Sequence, residues 1–126
     1  MKRLGLALLV PGALALAATA LAQDPAKVAP DVYNCVFEND QVRVCEVALK
    51  PGGKVAMHSH PDHFMYVTAP GKLKITASDG KVTEGEFTVG QVVWVPAETH
   101  WAMNPGTTEL KGIVVELKKS GAPAAK

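Results

Sequence analysis

The chain has 126 residues, with 13 lysines and arginines against 12 aspartates and glutamates, and its formal net charge at pH 7 is +1. The basic residues are scattered along the sequence, without the patch or stripe that marks a nucleic-acid-binding or membrane-surface protein. We therefore expect no nucleic-acid partner and, for the mature chain, no membrane partner.

Residues 1–22 have the pattern of a secretory signal peptide. Lys2 and Arg3 precede a long apolar stretch, and a small-x-small cleavage site ends at Ala22. An uncleaved membrane anchor is the alternative, which the Pro-Gly interruption of the apolar stretch disfavours. We predict a periplasmic or secreted protein that begins at Gln23 and has 104 residues (126 minus 22), enough for one domain.

The mature chain divides into three parts. Residues 23–32 are a polar lead-in, residues 33–117 the domain, and residues 118–126 a tail predicted to be disordered. Within the domain, short segments rich in Val, Ile and aromatic residues alternate with Gly, Pro, Asn or Asp, which predicts an all-β antiparallel sandwich or closed barrel. The main predicted strands are Tyr33–Phe37, Val42–Leu49, Phe64–Thr68, Leu73–Ala77, Lys81–Phe87, Val92–Val95, His100–Asn104 and Leu110–Leu117.

The mature chain contains two cysteines, Cys35 and Cys45. A hairpin with a three-residue loop at 39–41 would pair Glu38 with Val42 and place the cysteines directly opposite each other. Opposed α-carbons in an antiparallel pair can lie about 4.5 Å apart, which is within disulfide range. Because disulfides persist in exported proteins, we predict a Cys35–Cys45 disulfide. The alternative is a pair of small buried thiols.

All four histidines lie in two short segments, with His58, His60 and His63 in the first and His100 in the second. Residues 58 and 60 of a strand point to the same face. Burying several imidazoles without partners is costly, whereas one divalent ion can satisfy them together. The spacing therefore favours a metal site over ordinary packing.

Several large apolar residues lie in or beside these segments. Met65 shares a strand face with His63, and Ala102 shares one with His100, so both are predicted to line a pocket. Most of the remaining ones are expected to fill the core. These are Met57, Tyr66, Trp94, Trp101 and Met103.

The two histidine segments resemble the two motifs of the cupin family, and the resemblance covers roughly residues 42–117. The matching residues of the first motif are Gly52, His58, His60 and Gly71. Those of the second motif are Gly90, Pro96, His100 and Asn104. The resemblance implies a single-domain antiparallel jelly-roll β-barrel of the small conserved-barrel type, with a metal bound inside by the matching histidines.

The first motif departs from the family pattern because no glutamate follows His60 at the expected distance. His63 takes that place if the segment is aligned on the following strand, and Asp62 is the competing carboxylate if the register slips by one. In the second motif the glycine after the proline is missing, which would put Glu98 or Thr99 in a tight turn. The predicted ligand set is then His58, His60, His63 and His100.

An all-imidazole set suits several divalent transition metals, so the predicted cofactor is Fe, Mn, Zn, Ni or Cu. Four protein ligands can close a tetrahedral structural site, whereas a six-coordinate site leaves two positions for a small-molecule ligand.

The resemblance implies an enzyme of dioxygenase, isomerase or lyase type acting on a small organic substrate. A non-catalytic metal- or ligand-binding barrel and a scaffold with remnant histidines are the alternatives. The resemblance also implies a homodimer.

Overall fold

The structure is a computed structural model and describes residues 23–119. Within this range a short helix, α1, precedes nine strands. The eight predicted strands are all present, whereas the strand Lys54–His60 and the helix are not among the predicted segments. The elements are α1 (Pro25–Val28), β1 (Tyr33–Glu38), β2 (Val42–Leu49), β3 (Lys54–His60), β4 (His63–Ala69), β5 (Gly71–Ala77), β6 (Val82–Phe87), β7 (Val92–Val95), β8 (Glu98–Met103) and β9 (Leu110–Leu117).

Antiparallel pairing arranges the strands in two sheets. The order β1-β2-β9-β4-β7 forms a five-stranded sheet, and β3-β8-β5-β6 forms a four-stranded sheet. The chain passes back and forth between them, which is the jelly-roll arrangement, so the predicted all-β jelly-roll fold is confirmed. Among residues 23–119, no strand of one sheet pairs with a strand of the other, and the sheets do not close into one hydrogen-bonded barrel.

The interior lies between the two sheets. Strand β9 shows the alternation, because every second residue from Leu110 to Glu116 is buried and the residues between them are partly or fully exposed. Leu49, Val55 and Ala102 form a buried apolar cluster inside the domain. The inward face of β9 ends in a charged residue, Glu116, which is 3% exposed.

The hairpin of β1 and β2 carries the predicted disulfide between Cys35 and Cys45, which are directly paired. Nearer the turn the predicted register is wrong by one residue, because Glu38 pairs with Arg43 and not with Val42. A β-bulge between the cysteines and the turn takes up the difference. The side-chain oxygen of Asn39 accepts two backbone N–H groups, at 2.8 and 2.9 Å, and so holds a turn wider than three residues.

Much of the outward face of the five-stranded sheet is apolar, although Glu46, paired with Ile113, and Asn34, paired with Glu46, also lie on it. One row of paired residues crosses all five strands and a second row lies beside it, and we call these residues the outer apolar face. They are Phe37, Val44, Val115, Phe64 and Trp94 in the first row, and Ile113, Tyr66 and Val92 in the second. The expectation that most of the large apolar residues near the motifs fill the core is therefore wrong for Trp94 and Tyr66, which are 56% and 44% exposed, and also for Met57.

The ends of the domain are attached to the sheets. The Gln23 carbonyl accepts the Ser59 N–H at 2.9 Å, and the Lys118 N–H donates to the Gln41 carbonyl at 2.8 Å. The predicted signal peptide, residues 1–22, and residues 120–126 of the predicted tail lie outside the described residues. Between residues 23 and 119, no helix has the length and apolar character to cross a membrane.

Candidate metal centre

A β-bulge in β3 aims the first histidine inward. Val55 pairs with Ala102, but His58 pairs with His100, so β3 has one extra residue between these two pairs. In a regular strand, residues 55 and 58 would point to opposite faces. The bulge turns both inward, where they are 2% and 0% exposed. The Ala56 carbonyl, within the bulge, accepts the Nδ1–H of His58 at 2.7 Å.

Three histidines converge in the interior. The ligand atoms of His58, His60 and His100 all lie within 4.8 Å of one another, and all three residues are buried. Their ring centroids are 4.6, 4.8 and 5.3 Å apart. Because β3 and β8 are neighbours and His58 is opposite His100, strand pairing brings the H-x-H pair to the histidine of the second motif.

The fourth predicted ligand, His63, comes from the opposite sheet and is not one of this trio. It is buried, and its ring centroid lies 4.5 Å from that of His60. The competing carboxylate, Asp62, does not join the trio either. Its Oδ1 accepts the Ala97 N–H at 2.7 Å, in the connection between β7 and β8.

All four imidazoles have the same protonation pattern. Each Nδ1 lies against an oxygen acceptor: the carbonyls of Ala56 and Pro61 for His58 and His63, and carboxylates for His60 and His100. A carbonyl or an ionised carboxylate can only accept a hydrogen bond, so we assign the proton of each ring to Nδ1. In the neutral ring Nε2 then keeps its lone pair, which is the form in which histidine binds a metal.

Two glutamates that the sequence analysis did not single out as ligand partners hold the trio. Glu116 accepts the Nδ1–H of His60 at 2.7 Å, and Glu98 accepts that of His100 at 2.5 Å. Glu98 lies in β8, so the predicted tight turn at this position is wrong; the chain turns earlier, before β8 begins. The other oxygen of Glu116 accepts a hydrogen bond from Arg43 at 2.6 Å.

Burial favours the neutral form of three of the imidazoles, those of His58, His63 and His100. It lowers the pKa of His58 and His63, although hydrogen bonds to backbone carbonyls act in the opposite direction. Burial and the nearby imidazoles lower the pKa of His100 to about 3, even with Glu98 beside it. Burial alone would raise the pKa of Glu116, but hydrogen bonds from His60 and Arg43 outweigh it and hold that pKa below its usual value. Neutral imidazoles are ready to bind a metal without first losing a proton.

A cavity of about 90 Å³ adjoins the trio between the two sheets. His60, His63 and His100 line it, as do the predicted pocket residues Met65 and Ala102. The other lining side chains come from both sheets and are apolar except for Tyr33. They are Val32, Tyr33, Val47, Leu49, Val55, Leu73, Ile75, Phe87, Val93, Val95, Leu110 and Val114.

Other motif residues have structural roles. Gly52 and Gly90 have φ values of 72° and 86°, in the left-handed region that favours glycine. Asn104 is fully buried, and its amide donates to the carbonyls of Leu49 and Thr108, both at 2.8 Å. These residues therefore fix the turns at the ends of the motif strands.

Fold and site together define a class of protein: a double-stranded jelly roll with a buried, metal-competent histidine cluster beside a cavity. A cupin domain from Bordetella pertussis Tohama I is similar at 26% identity and a TM-score of 0.63, over 69% of this chain and 92% of that one. A protein with a double-stranded β-helix domain from Klebsiella pneumoniae is similar at 27% identity and a TM-score of 0.56, over 75% of this chain and 80% of that one.

A cupin family protein from Methanocaldococcus jannaschii shares the fold at 18% identity and a TM-score of 0.57, over 71% of this chain and 81% of that one. No family model matches the sequence, and no curated protein matches it. The Bordetella structure is a cupin domain, and the two-sheet fold and buried histidine trio of this chain are consistent with it. The chain belongs to the cupin superfamily.

Proposed function

We propose that this chain is an exported, metal-dependent cupin enzyme of dioxygenase, isomerase or lyase type that acts on a small organic molecule. The proposal depends on one observation: the buried Nε2 of His58 has no hydrogen-bond partner within the described residues. Leaving such an atom unpaired costs about 1–3 kcal/mol. His58 belongs to a trio in which the Nδ1 atoms of His60 and His100 are also engaged, and one divalent ion would take the Nε2 atoms of all three residues together.

The residues present fit a divalent transition metal. His58, His60 and His100 would hold the ion, which supplies a Lewis acid when bound. Their Nδ1–H groups are all engaged, so each ring is fixed in orientation and in tautomer. Imidazole ligands suit Fe, Zn, Ni and Cu, and they disfavour Mg and Ca, which prefer oxygen ligands.

The cavity beside the trio supports a small-molecule substrate. Of the described residues that line it, none is Asp, Glu, Lys or Arg. An apolar wall excludes water and offers no partner to a charged group. Because burying an unpaired charge is costly, the cavity disfavours a substrate with a charged tail. We infer a substrate with few heavy atoms, an apolar body and oxygen donors directed at the histidines.

The first experiment measures metal in the natively purified protein and in its His58→Ala variant. We expect close to one equivalent of a transition metal in the wild type and a large loss in the variant, because one of three ligands is removed. The Ser59→Ala variant is the matched control, since Ser59 lies between the two histidines but bonds to Thr99 instead. A wild-type protein that neither contains nor takes up Zn²⁺, Co²⁺ or Fe²⁺ would contradict the proposal.

A non-catalytic metal-binding barrel is the second candidate, and the position of His63 favours it. With its ring 4.5 Å from that of His60, this residue is the candidate fourth ligand of a closed site. Azide binding to the Co²⁺-loaded protein separates the two candidates. A shift of the visible Co²⁺ spectrum indicates an open position and supports the enzyme. No shift in the wild type, together with a shift in His63→Ala, indicates a metal site closed by His63 and supports the non-catalytic barrel.

Export is part of the same proposal. The disulfide indicates a non-reducing compartment, and the pattern of residues 1–22 is that of a cleaved signal peptide. The intact mass of the natively purified sample tests it, because cleavage after Ala22 leaves a chain that begins at Gln23.

We also propose that the outer apolar face binds a second copy of this chain. Five strands about 4.8 Å apart, with an average length of about 20 Å, give roughly 500 Å² of flat sheet. Side chains that protrude from the sheet make its accessible surface larger than this flat area. The accessible surface thus approaches the roughly 600–800 Å² that each partner buries in a stable complex. A second copy fits because a two-fold axis sets the outer apolar face of one copy against the identical face of the other.

A further inference from the structure

We infer that Glu116, held by Arg43, is a positioning residue for the ligand His60 and supplies negative charge that the all-imidazole site lacks. The inference rests on the metal binding proposed above. It assigns a role to a residue outside both histidine segments, on the last strand of the opposite sheet.

The geometry fixes the Glu116 carboxylate at both oxygens. Within its own sheet, Glu116 is paired with Arg43 on one side and His63 on the other. From there its side chain crosses the interior, where Oε1 accepts the Nδ1–H of His60 at 2.7 Å and Oε2 accepts the Nε–H of Arg43 at 2.6 Å. With a side chain only 4% exposed, Glu116 joins one sheet to a ligand of the other.

Arg43 is itself anchored. Its Nη1 donates to Asp24 at 2.8 Å, and the same carboxylate caps α1 by accepting the Ala26 N–H at 2.9 Å. The lead-in segment, the five-stranded sheet and the ligand strand are thus connected through one chain of charge-assisted hydrogen bonds. His60 cannot rotate without breaking this chain.

The charge of a divalent ion explains why a carboxylate, that of Glu116, lies beside His60. Three neutral imidazoles leave the double charge of a divalent ion uncompensated in a buried site, which is costly. A carboxylate that accepts the Nδ1–H of a ligand histidine makes Nε2 more basic and offsets part of that charge. Hydrogen bonds from His60 and Arg43 hold the pKa of Glu116 below its usual value, so its carboxylate stays ionised and accepts the Nδ1–H of His60.

The trio therefore has three unequal ligands. His60 donates to a buried carboxylate that is clamped by Arg43. His100 donates to Glu98, whose side chain is 29% exposed, and His58 donates only to a backbone carbonyl. We expect the loss of charge at Glu116 to have a larger effect on the site than the same loss at Glu98.

The test compares Glu116→Gln with Glu98→Gln and with Glu46→Gln, an exposed control on the outward side of β2. Co²⁺ affinity is measured by titration of the metal-free proteins. Removing a carboxylate partner of a ligand histidine typically costs 10–100-fold in metal affinity. We expect a loss in that range for Glu116→Gln, a smaller loss for Glu98→Gln and none for Glu46→Gln.

A second readout needs no metal. In the metal-free protein, the Nδ1–H proton of His60 is expected far downfield in the NMR spectrum because its acceptor is charged. In Glu116→Gln this resonance should move upfield, while those of His58 and His63 stay in place. Glu116→Asp keeps the charge on a shorter side chain and provides a second variant, with an affinity expected between those of the wild type and Glu116→Gln.

The two readouts separate failure of the inference from failure of the proposed function. Wild-type protein without Co²⁺ binding, but with the expected change at His60 on substitution, would remove the metal function and leave the positioning role. Unchanged Co²⁺ affinity in Glu116→Gln and Glu116→Asp, or an unmoved His60 resonance, would overturn the inference.

Discussion

At the scale of single residues, His58 illustrates a conflict between stability and function. It is fully buried, its Nδ1–H is satisfied by the bulge carbonyl, and its Nε2 is satisfied by nothing within the described residues. An apolar side chain of similar volume would avoid the cost of that unpaired atom. The imidazole has value here only if a ligand binds it, and this is why His58 carries the functional proposal.

The lowered histidine pKa values predict how stability depends on pH. The pKa values of His58, His63 and His100 are lowered in the folded protein, so below pH 6.5 the unfolded chain binds protons that the folded protein excludes. Stability is therefore complete above about pH 6.5 and falls as the pH decreases, by up to about 1.4 kcal/mol per pH unit for each such histidine. Glu116 adds to this loss only below about pH 4.5.

Urea unfolding of the metal-free protein at several pH values between 7.5 and 4.5 measures this dependence. His100→Gln should show a shallower slope, because one of the three histidines no longer titrates in the unfolded state. A free energy of unfolding that stays constant, or rises, between pH 7 and pH 5 would contradict the prediction.

The sequence shows the histidines but not the groups that hold them. His58, His60 and His100 could be predicted because their spacing matches a known pattern, and strand pairing does bring them together. Glu116 could not be paired with His60, since 56 residues separate them and the contact depends on how two sheets face each other. A signal was present, however: Glu116 is the one charged residue among the alternating inward positions of β9.

At the scale of elements, two β-bulges explain most of what the pattern of alternation could not predict. The bulge in β3 reverses the side to which His58 points relative to Val55, and the one in β1 shifts the turn register while keeping the cysteines paired. A bulge is set by local twist and by the partner strand, which a single segment does not contain. Side-chain direction is therefore predictable within a regular stretch, as for Met65 and Ala102, but not across a bulge, as between Val55 and His58.

The disulfide should contribute measurably to the stability of the β1–β2 hairpin. It closes a short loop, with a sequence separation of 10, and loops of this size correspond to about 2–3 kcal/mol of stabilisation. We expect Cys35→Ser/Cys45→Ser to unfold with a free energy lower by that amount. Wild-type protein under strong reductant should behave in the same way and is the control. Equal stabilities of the oxidised protein and the double variant would contradict the prediction.

At the scale of the whole molecule, the two sheets have different outward faces. The five-stranded sheet presents the outer apolar face, with Trp94 56% and Val92 62% exposed. Monomeric proteins rarely expose a large contiguous apolar patch, and such patches mark interaction sites. The inward face of the same sheet contributes His63 and Glu116 to the site. A partner bound to the outward face would therefore stabilise the sheet that carries these two residues.

We expect the wild type to sediment as a dimer at tens of micromolar and Trp94→Lys to shift it towards the monomer. The reason is that a two-fold interface contains every substitution twice, and each copy would bury an unpaired ammonium group. Val82→Lys is the matched control, because Val82 is 54% exposed but lies on β6 of the other sheet, where the same change should leave the dimer intact. Analytical ultracentrifugation of the three proteins at matched concentrations measures this. A monomeric wild type would exclude the second copy as the partner, and dissociation by Val82→Lys alone would place the interface on the four-stranded sheet.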